Sequence, residues 1–161
     1  MSDERTTIVD YALPDNIIKE IGKYVQLCAR IEKLIIIAVV TVENLEGDDR
    51  KKRVAELSML PTTKLISSLN SVTKALPKSH RFATFFQELR PYLHQFVDNR
   101  HRAVHGVVFF NEHLQVKYFD KKAQEDVVAV IEEESIDEML AHADAIARSL
   151  SEFCTEFAEG F

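Results

Sequence analysis

The stretch Leu34-Ile-Ile-Ile-Ala-Val-Val-Thr-Val42 decides the fold. Seven of its nine residues are β-branched, and on propensity alone it would be a strand. The residues around it read otherwise. Apolar side chains recur at Ile17, Ile21, Tyr24, Cys28, Ile31, Ile35, Ala38 and Val42. That is helical spacing, held over about seven turns. The spacing predicts one long helix from Pro14, a residue suited to the first helical position, to about Asn44. Where it is apolar on every side, such a helix runs through the middle of a core.

Outward from this helix the chain continues as helices. The segment Glu46–Arg53 (EGDDRKKR) reads as a loop with Gly47 as the helix stop. A short helix is expected over 51–59. After Pro61, another is expected over 62–76, with Leu65, Leu69, Val72 and Leu76 on its apolar face and Pro77 closing it. A long helix follows over 79–105, burying Phe82, Phe86, Leu89, Leu93 and Phe96. Pro91 marks a place for a kink, and Gly106 the C-terminal stop. Beyond Gly106 the period changes to that of strands. VVFF, LQVKYF and VVAVI read as three short strands, with Asn111-Glu112-His113 as a tight turn. Ser135 and Glu138 form a capping-box pattern that opens a last helix to about residue 158. Its apolar face carries Ile136, Leu140, Ala143, Ala147, Leu150, Cys154 and Phe157. The expected architecture is a single domain over 1–161, mainly α. A helical bundle over 14–106 is followed by a small antiparallel β meander over about 107–132 and a C-terminal helix over about 135–158.

Composition narrows the function classes. Of the 161 residues, 46% are hydrophobic and 29% charged, as in ordinary globular proteins. The net charge of −6 supplies no global basic field, so any nucleic-acid site must be local. The run Arg50-Lys51-Lys52-Arg53 would help if it lay beside such a site; otherwise it is a solvated surface. Cys28 and Cys154 stand far apart without metal-ligand spacing, which points to a reducing, cytoplasmic setting. The polar, acidic N-terminus is unlike a secretory signal. The longest apolar run falls far short of the ~20 residues of a membrane helix.

One segment carries chemistry: Asp98-Asn-Arg-His-Arg-Ala-Val-His105. On a helix, His94, Asp98, His101 and His105 fall on one stripe. Arg100 follows Leu93 and Phe86 by sevens and so projects from the apolar side. Three bland readings stand beside a catalytic one. The histidine stripe is a solvated face. Arg100 is a structural arginine paired with a buried acid, Glu32 being the obvious partner on the first helix. Or His101 and His105, at i and i+4, share a metal with Asp98, although the intervening Arg102 opposes a cation. No metal and no other cofactor is expected.

Arg100-His101-Arg102-Ala103-Val104-His105 fits R-x4-H with a polar residue after the arginine, ending a helix. It resembles the signature of the HEPN superfamily, whose members are α-helical bundles. His101 stands where asparagine is commonest in that family. The long first helix with its Arg30-Ile-Glu-Lys-Leu34 run resembles the family's context over 14–106. The resemblance implies a metal-independent endoribonuclease. The RNA 2′-OH attacks the adjacent phosphorus and leaves a 2′,3′-cyclic phosphate and a 5′-hydroxyl. His105 would transfer the proton, Arg100 would clamp the phosphate, His101 would orient the site or carry a second proton, and Arg102 would bind substrate. Residues five apart on a helix differ by about 140° in bearing. In the family, dimerisation brings two motifs together in a shared cleft. The resemblance therefore implies a homodimer with its two-fold axis near Arg100 and His105. It also implies a toxin or phage-defence setting with a protein inhibitor or antitoxin as partner. The alternative within the same resemblance is a non-catalytic dimerisation or regulatory module.

Overall fold

The computed structural model describes residues 13–111, 113–120 and 122–159. The N-terminal segment read above as unlike a signal lies outside them, as does Glu112 of the expected turn. Five helices and three strands follow in the order α1 (Asp15–Val42), α2 (Gly47–Ser58), α3 (Thr62–Lys74), α4 (Arg81–His105), β1 (Val107–Asn111), β2 (His113–Asp120), β3 (Glu125–Val130) and α5 (Glu133–Glu159). The chain is mainly α, with a small antiparallel sheet before its last helix.

Leu34–Val42 is helical, because burial and period override β-propensity. Ile31, Ile35, Ala38, Val39 and Val40 are wholly buried, and Ile36 nearly so. At that level α1 is enclosed by α2, α3, α4 and above all α5. A helix surrounded in this way needs apolar side chains all round, which explains the unbroken run. Pro14 sits one position before the helix, and its carbonyl accepts from the N–H groups of Ile17 and Ile18.

The faces read on α4 and α5 are the buried ones. Phe82, Phe86, Leu89, Leu93 and Phe96 turn inward from α4. Ile136, Ala143, Ala147 and Leu150 do so from α5, joined by Ile146 and Phe153. Phe153 stacks on Phe82 with ring centroids 3.5 Å apart, tying the start of α4 to the end of α5. The side chain of Phe157 lies outside the described residues.

Three boundaries differ from the sequence reading. Gly47 does not stop α1. The chain turns at Asn44, whose φ is 52°, and Gly47 (φ 55°) opens α2, so Glu46–Arg53 is mostly helix rather than loop. Asparagine tolerates the left-handed conformation almost as glycine does, and either could have made the turn. The last helix begins at Glu133, two residues before the expected cap. The N–H groups of Ser135 and Ile136 already bond to the Glu132 carbonyl, so Ser135 lies within the first turn. Gly106 does end α4, but in extended conformation (φ −79°, ψ 143°) rather than left-handed. Glycine is required there for space. A Cβ would collide with the Arg102 carbonyl oxygen and with Cγ2 of Val116.

The sheet has the order β1-β2-β3, with Phe110 opposite Leu114 and Val116 opposite both Val108 and Ala129. Leu114 and Val116 are buried and Tyr118 half-buried on one face of β2; His113, Lys117 and Phe119 are exposed on the other. The inner face leans on α4 and forms, with Ile17 and Ile136, a second small core. The tight approach at Gly106 therefore sets how the sheet leaves the bundle.

Two glycines should respond oppositely to alanine. Gly106→Ala is expected to lower stability by about 1–3 kcal/mol through overpacking, a fall in Tm of roughly 3–10 °C for a domain of this size. Gly22→Ala, at a helix-interior site with nothing within 4 Å of the added methyl, is expected to raise stability by about 0.5–1 kcal/mol. Thermal melts of the two variants check both signs.

Candidate active site

Glu32 is the one acid in the stretch of α1 that runs from Ile31 to Val42. Its neighbours Ile31, Ile35 and Ile36 are buried, so its carboxylate is drawn to whatever cations and donors the bundle offers. Two elements answer. Arg100 of α4 brings Nε to 3.0 Å from Glu32 Oε1, with both side chains about three-quarters buried. Thr62, the first residue of α3 and itself buried, donates its hydroxyl to the same oxygen. The guanidinium approaches off the N–H line, so the contact is ionic rather than a well-aligned hydrogen bond. The expected structural partner of Arg100 is thus the observed one.

Two further side chains of α1 share this neighbourhood, Tyr24 and Cys28, eight and four residues before Glu32. The Tyr24 hydroxyl is buried beside the Cys28 thiol without a hydrogen bond of good geometry. Burial pushes the phenol well above its ordinary range. Burial also pushes the Cys28 thiol up to about 11, with the Arg100 charge pulling the other way.

On the outer side of Arg100 a cleft of about 330 Å³ opens. Arg100, His101, Arg102 and His105 all line it, together with Asp98 from the same helix. The 140° between positions 100 and 105 is accommodated because the cleft wraps the last turns of α4 rather than facing one side of it. His94, on the same stripe, is exposed and does not line the cleft. The opposite walls were not anticipated from the sequence. One is the start of α3, with Pro61, Thr62 and Thr63; the other is the β2–β3 end of the meander, with Tyr118, Phe119, Asp120 and Lys122. The alternation of LQVKYF contained a signal for the second wall. Tyr118 shares the inward face of Leu114 and Val116 and must meet α4 at the motif.

Contacts across the cleft fix the motif's side chains. His101 Nε2 lies 3.2 Å from the Phe119 carbonyl oxygen. A carbonyl only accepts, so Nε2 carries the proton and Nδ1 is left as the other site on the ring. The rings of His101 and His105 are 5.3 Å apart, centroid to centroid. The Arg102 guanidinium carbon lies 5.3 Å from the centroid of the Tyr118 ring, a cation–π contact. Arg100 has no hydrogen bond from Nη1 or Nη2 among the described residues, so its outer donors are available to a ligand. Three permanent cations (Arg100, Arg102, Lys122) line the cleft with two carboxylates (Asp98, Asp120), and Glu32 is paired with Arg100 from the α1 side, so carboxylates balance this local field of cations.

The basic run does not add to this field. Arg50–Arg53 lies on α2 and lines no part of the cleft. Arg53 is paired with Glu43 at 2.9 Å and Lys51 with Asp48 at 3.1 Å. Among the described residues no three His, Cys, Asp or Glu side chains converge as a metal site, and no helix is long and apolar enough to cross a membrane. No family model matches the chain, and no curated protein and no solved structure is significantly similar to it.

The two thiols give a pH test of this neighbourhood. In the fold both Cys28 and Cys154 are raised by burial from about 9 to about 11. Stability from keeping them neutral is complete below pH 9 and is lost as the pH rises toward 11. Tm should therefore fall between pH 9 and 11, and Cys28→Ala should flatten part of that fall. A Tm of the wild type that is constant over this range would contradict the burial of both thiols.

Proposed function

We propose that the chain is a metal-independent endoribonuclease of the HEPN kind, with its active site in the cleft at the end of α4. One observation carries the reading: the four polar residues of the motif, Arg100, His101, Arg102 and His105, line a single cleft. RNA brings its own nucleophile, so the protein need only move protons and stabilise charge. His105, exposed at the rim, takes the proton of the 2′-OH as O2′ bonds to phosphorus. The P–O5′ bond breaks, and the leaving oxygen receives the Nδ1 proton of His101 in its imidazolium form, whose Nε2–H stays on the Phe119 carbonyl. Negative charge building on the phosphoryl oxygens is met by the outer nitrogens of Arg100, whose Nε side is anchored on Glu32. Arg102, seated over Tyr118, holds the substrate.

Two copies meet about a two-fold axis near the motif in this proposal. Val104, between the two histidines, is 40% exposed, and Phe119 at the cleft is 47% exposed, apolar surface that a second copy would cover. An inhibitor protein would act on the same face. A second reading, a non-catalytic dimerisation or regulatory module, draws on the pairing of Arg100 with Glu32, which gives that arginine a purely structural occupation.

Purified protein incubated with structured RNA in EDTA separates the two. The nuclease reading expects cleavage to cyclic-phosphate ends. His105→Ala should reduce the rate by ~10²–10⁴ with an unchanged Tm, Arg100→Ala should abolish cleavage, and Arg102→Ala should only weaken it. Absence of cleavage by the wild type, together with a lowered Tm for Arg100→Ala, would leave the module as the better reading. Light scattering that reports a monomer at tens of micromolar would count against the shared cleft.

A further inference from the structure

Asp120 is out of place in a cleft that handles phosphate. Its Oδ1 accepts from the backbone N–H groups of Lys122 at 2.7 Å and Ala123 at 3.0 Å, closing the turn between β2 and β3. Nothing among the described residues donates to Oδ2. The two amides, aided by the charges of Lys122 and Arg102, hold the carboxyl below its ordinary range, so it stays ionised and can only accept. Turn closure accounts for one oxygen and leaves the other without a donor, on a residue that lines the cleft together with Arg102 and Lys122.

Beside it stand Tyr118 and Arg102, the guanidinium carbon 5.3 Å from the ring centroid. Aromatic rings and arginine planes are the surfaces on which unpaired nucleobases stack. Tyr118 is half-buried and Arg102 exposed, so the pair is anchored on one side and open on the other. A stacking surface next to an anionic acceptor is chemistry for a base, whereas the phosphate is served by Arg100 at the floor of the cleft.

Resting on the ribonuclease reading, we propose that the meander wall is a nucleobase subsite for single-stranded RNA that selects a base bearing an exocyclic amino group. The base stacks on the Arg102–Tyr118 pair and donates an amino N–H to Asp120 Oδ2. Adenine, cytosine and guanine carry such a group; uracil does not. In a duplex the amino group is engaged by its complementary base and the base is not free to stack, so paired RNA does not enter the subsite.

The test is binding, measured by fluorescence anisotropy with 2′-O-methyl decamers of A, C and U, which cannot be cleaved by 2′-OH attack. The wild type should bind the A and C decamers about tenfold more tightly than the U decamer, the scale of one charge-assisted hydrogen bond. It should bind an A·U duplex no better than the U decamer. Asp120→Asn keeps an oxygen for the turn amides but replaces the second acceptor with a donor. In that variant the preference should collapse or turn toward U, whose carbonyl oxygens accept. Tyr118→Ala should weaken binding of all three decamers alike, and Tyr118→Phe should preserve it. Equal wild-type affinity for A, C and U decamers, or an unchanged preference in Asp120→Asn with an unchanged Tm, would overturn the subsite, as would no binding of any decamer. Selective binding without cleavage of natural RNA would overturn the nuclease reading and leave the subsite standing. Cleavage with base-indifferent binding would do the reverse.

Discussion

A single carboxylate at the edge of the enclosed stretch of α1 organises this molecule. Glu32 lies on α1 next to Ile31 and close to the fully enclosed Ile35 and Ala38. A charge so placed must be compensated, and removing one partner of such a pair is costly. The compensation comes from Arg100 on α4 and Thr62 on α3, so one oxygen joins three helices. The same requirement sets where the functional surface can be. Arg100 is pulled inward by its Nε, which leaves its outer nitrogens at the floor of the cleft, and Thr62 brings the start of α3 to the cleft's edge. The ion pair is partly exposed, so its contribution is smaller than that of a fully buried one. Its directional effect, fixing the guanidinium between α1 and the cleft, matters more than its magnitude.

The meander completes the cleft. Gly106 lets the chain leave α4 tightly against Arg102 and Val116, and β2 then brings Tyr118, Phe119 and Asp120 back to the helix the chain has just left. The Phe119 carbonyl fixes His101, and the Tyr118 ring receives Arg102. Two side chains of the motif are therefore held by an element that follows it in sequence. An acidic chain can in this way gather Arg100, Arg102 and Lys122 in one cleft, where Glu32, Asp98 and Asp120 balance their charge.

What could be read from the residues and what could not follow a physical line. Period showed the helices and their inward faces, since Phe82, Phe86, Leu89, Leu93 and Phe96 repeat as only a buried helical face does. Leu34–Val42 shows why period outweighs propensity: once the helix is enclosed, β-branching matters less than burial. The Arg100–Glu32 pair was legible because an arginine on an apolar stripe needs an acid, and α1 offers one next to its buried residues. The ends were less legible. Asn44 and Gly47 both adopt left-handed conformations, and sequence does not show which one turns the chain. Ser135 has the pattern of a cap but lies inside the helix, because the Glu132 carbonyl starts the hydrogen bonding three residues earlier. The walls of the cleft opposite the motif depend on how the meander folds back, a long-range arrangement to which only the inward position of Tyr118 pointed.

Glu32 and Arg100 form a working pair that ties α1 to α4. This is tested most directly by a double-mutant cycle in stability, with Glu32→Gln, Arg100→Met and the double variant melted beside the wild type. The pair predicts that the two losses are not additive, with a coupling of about 1–3 kcal/mol, in the range for residues in direct contact. Losses that add to within about 0.5 kcal/mol, as for residues that do not touch, would contradict it.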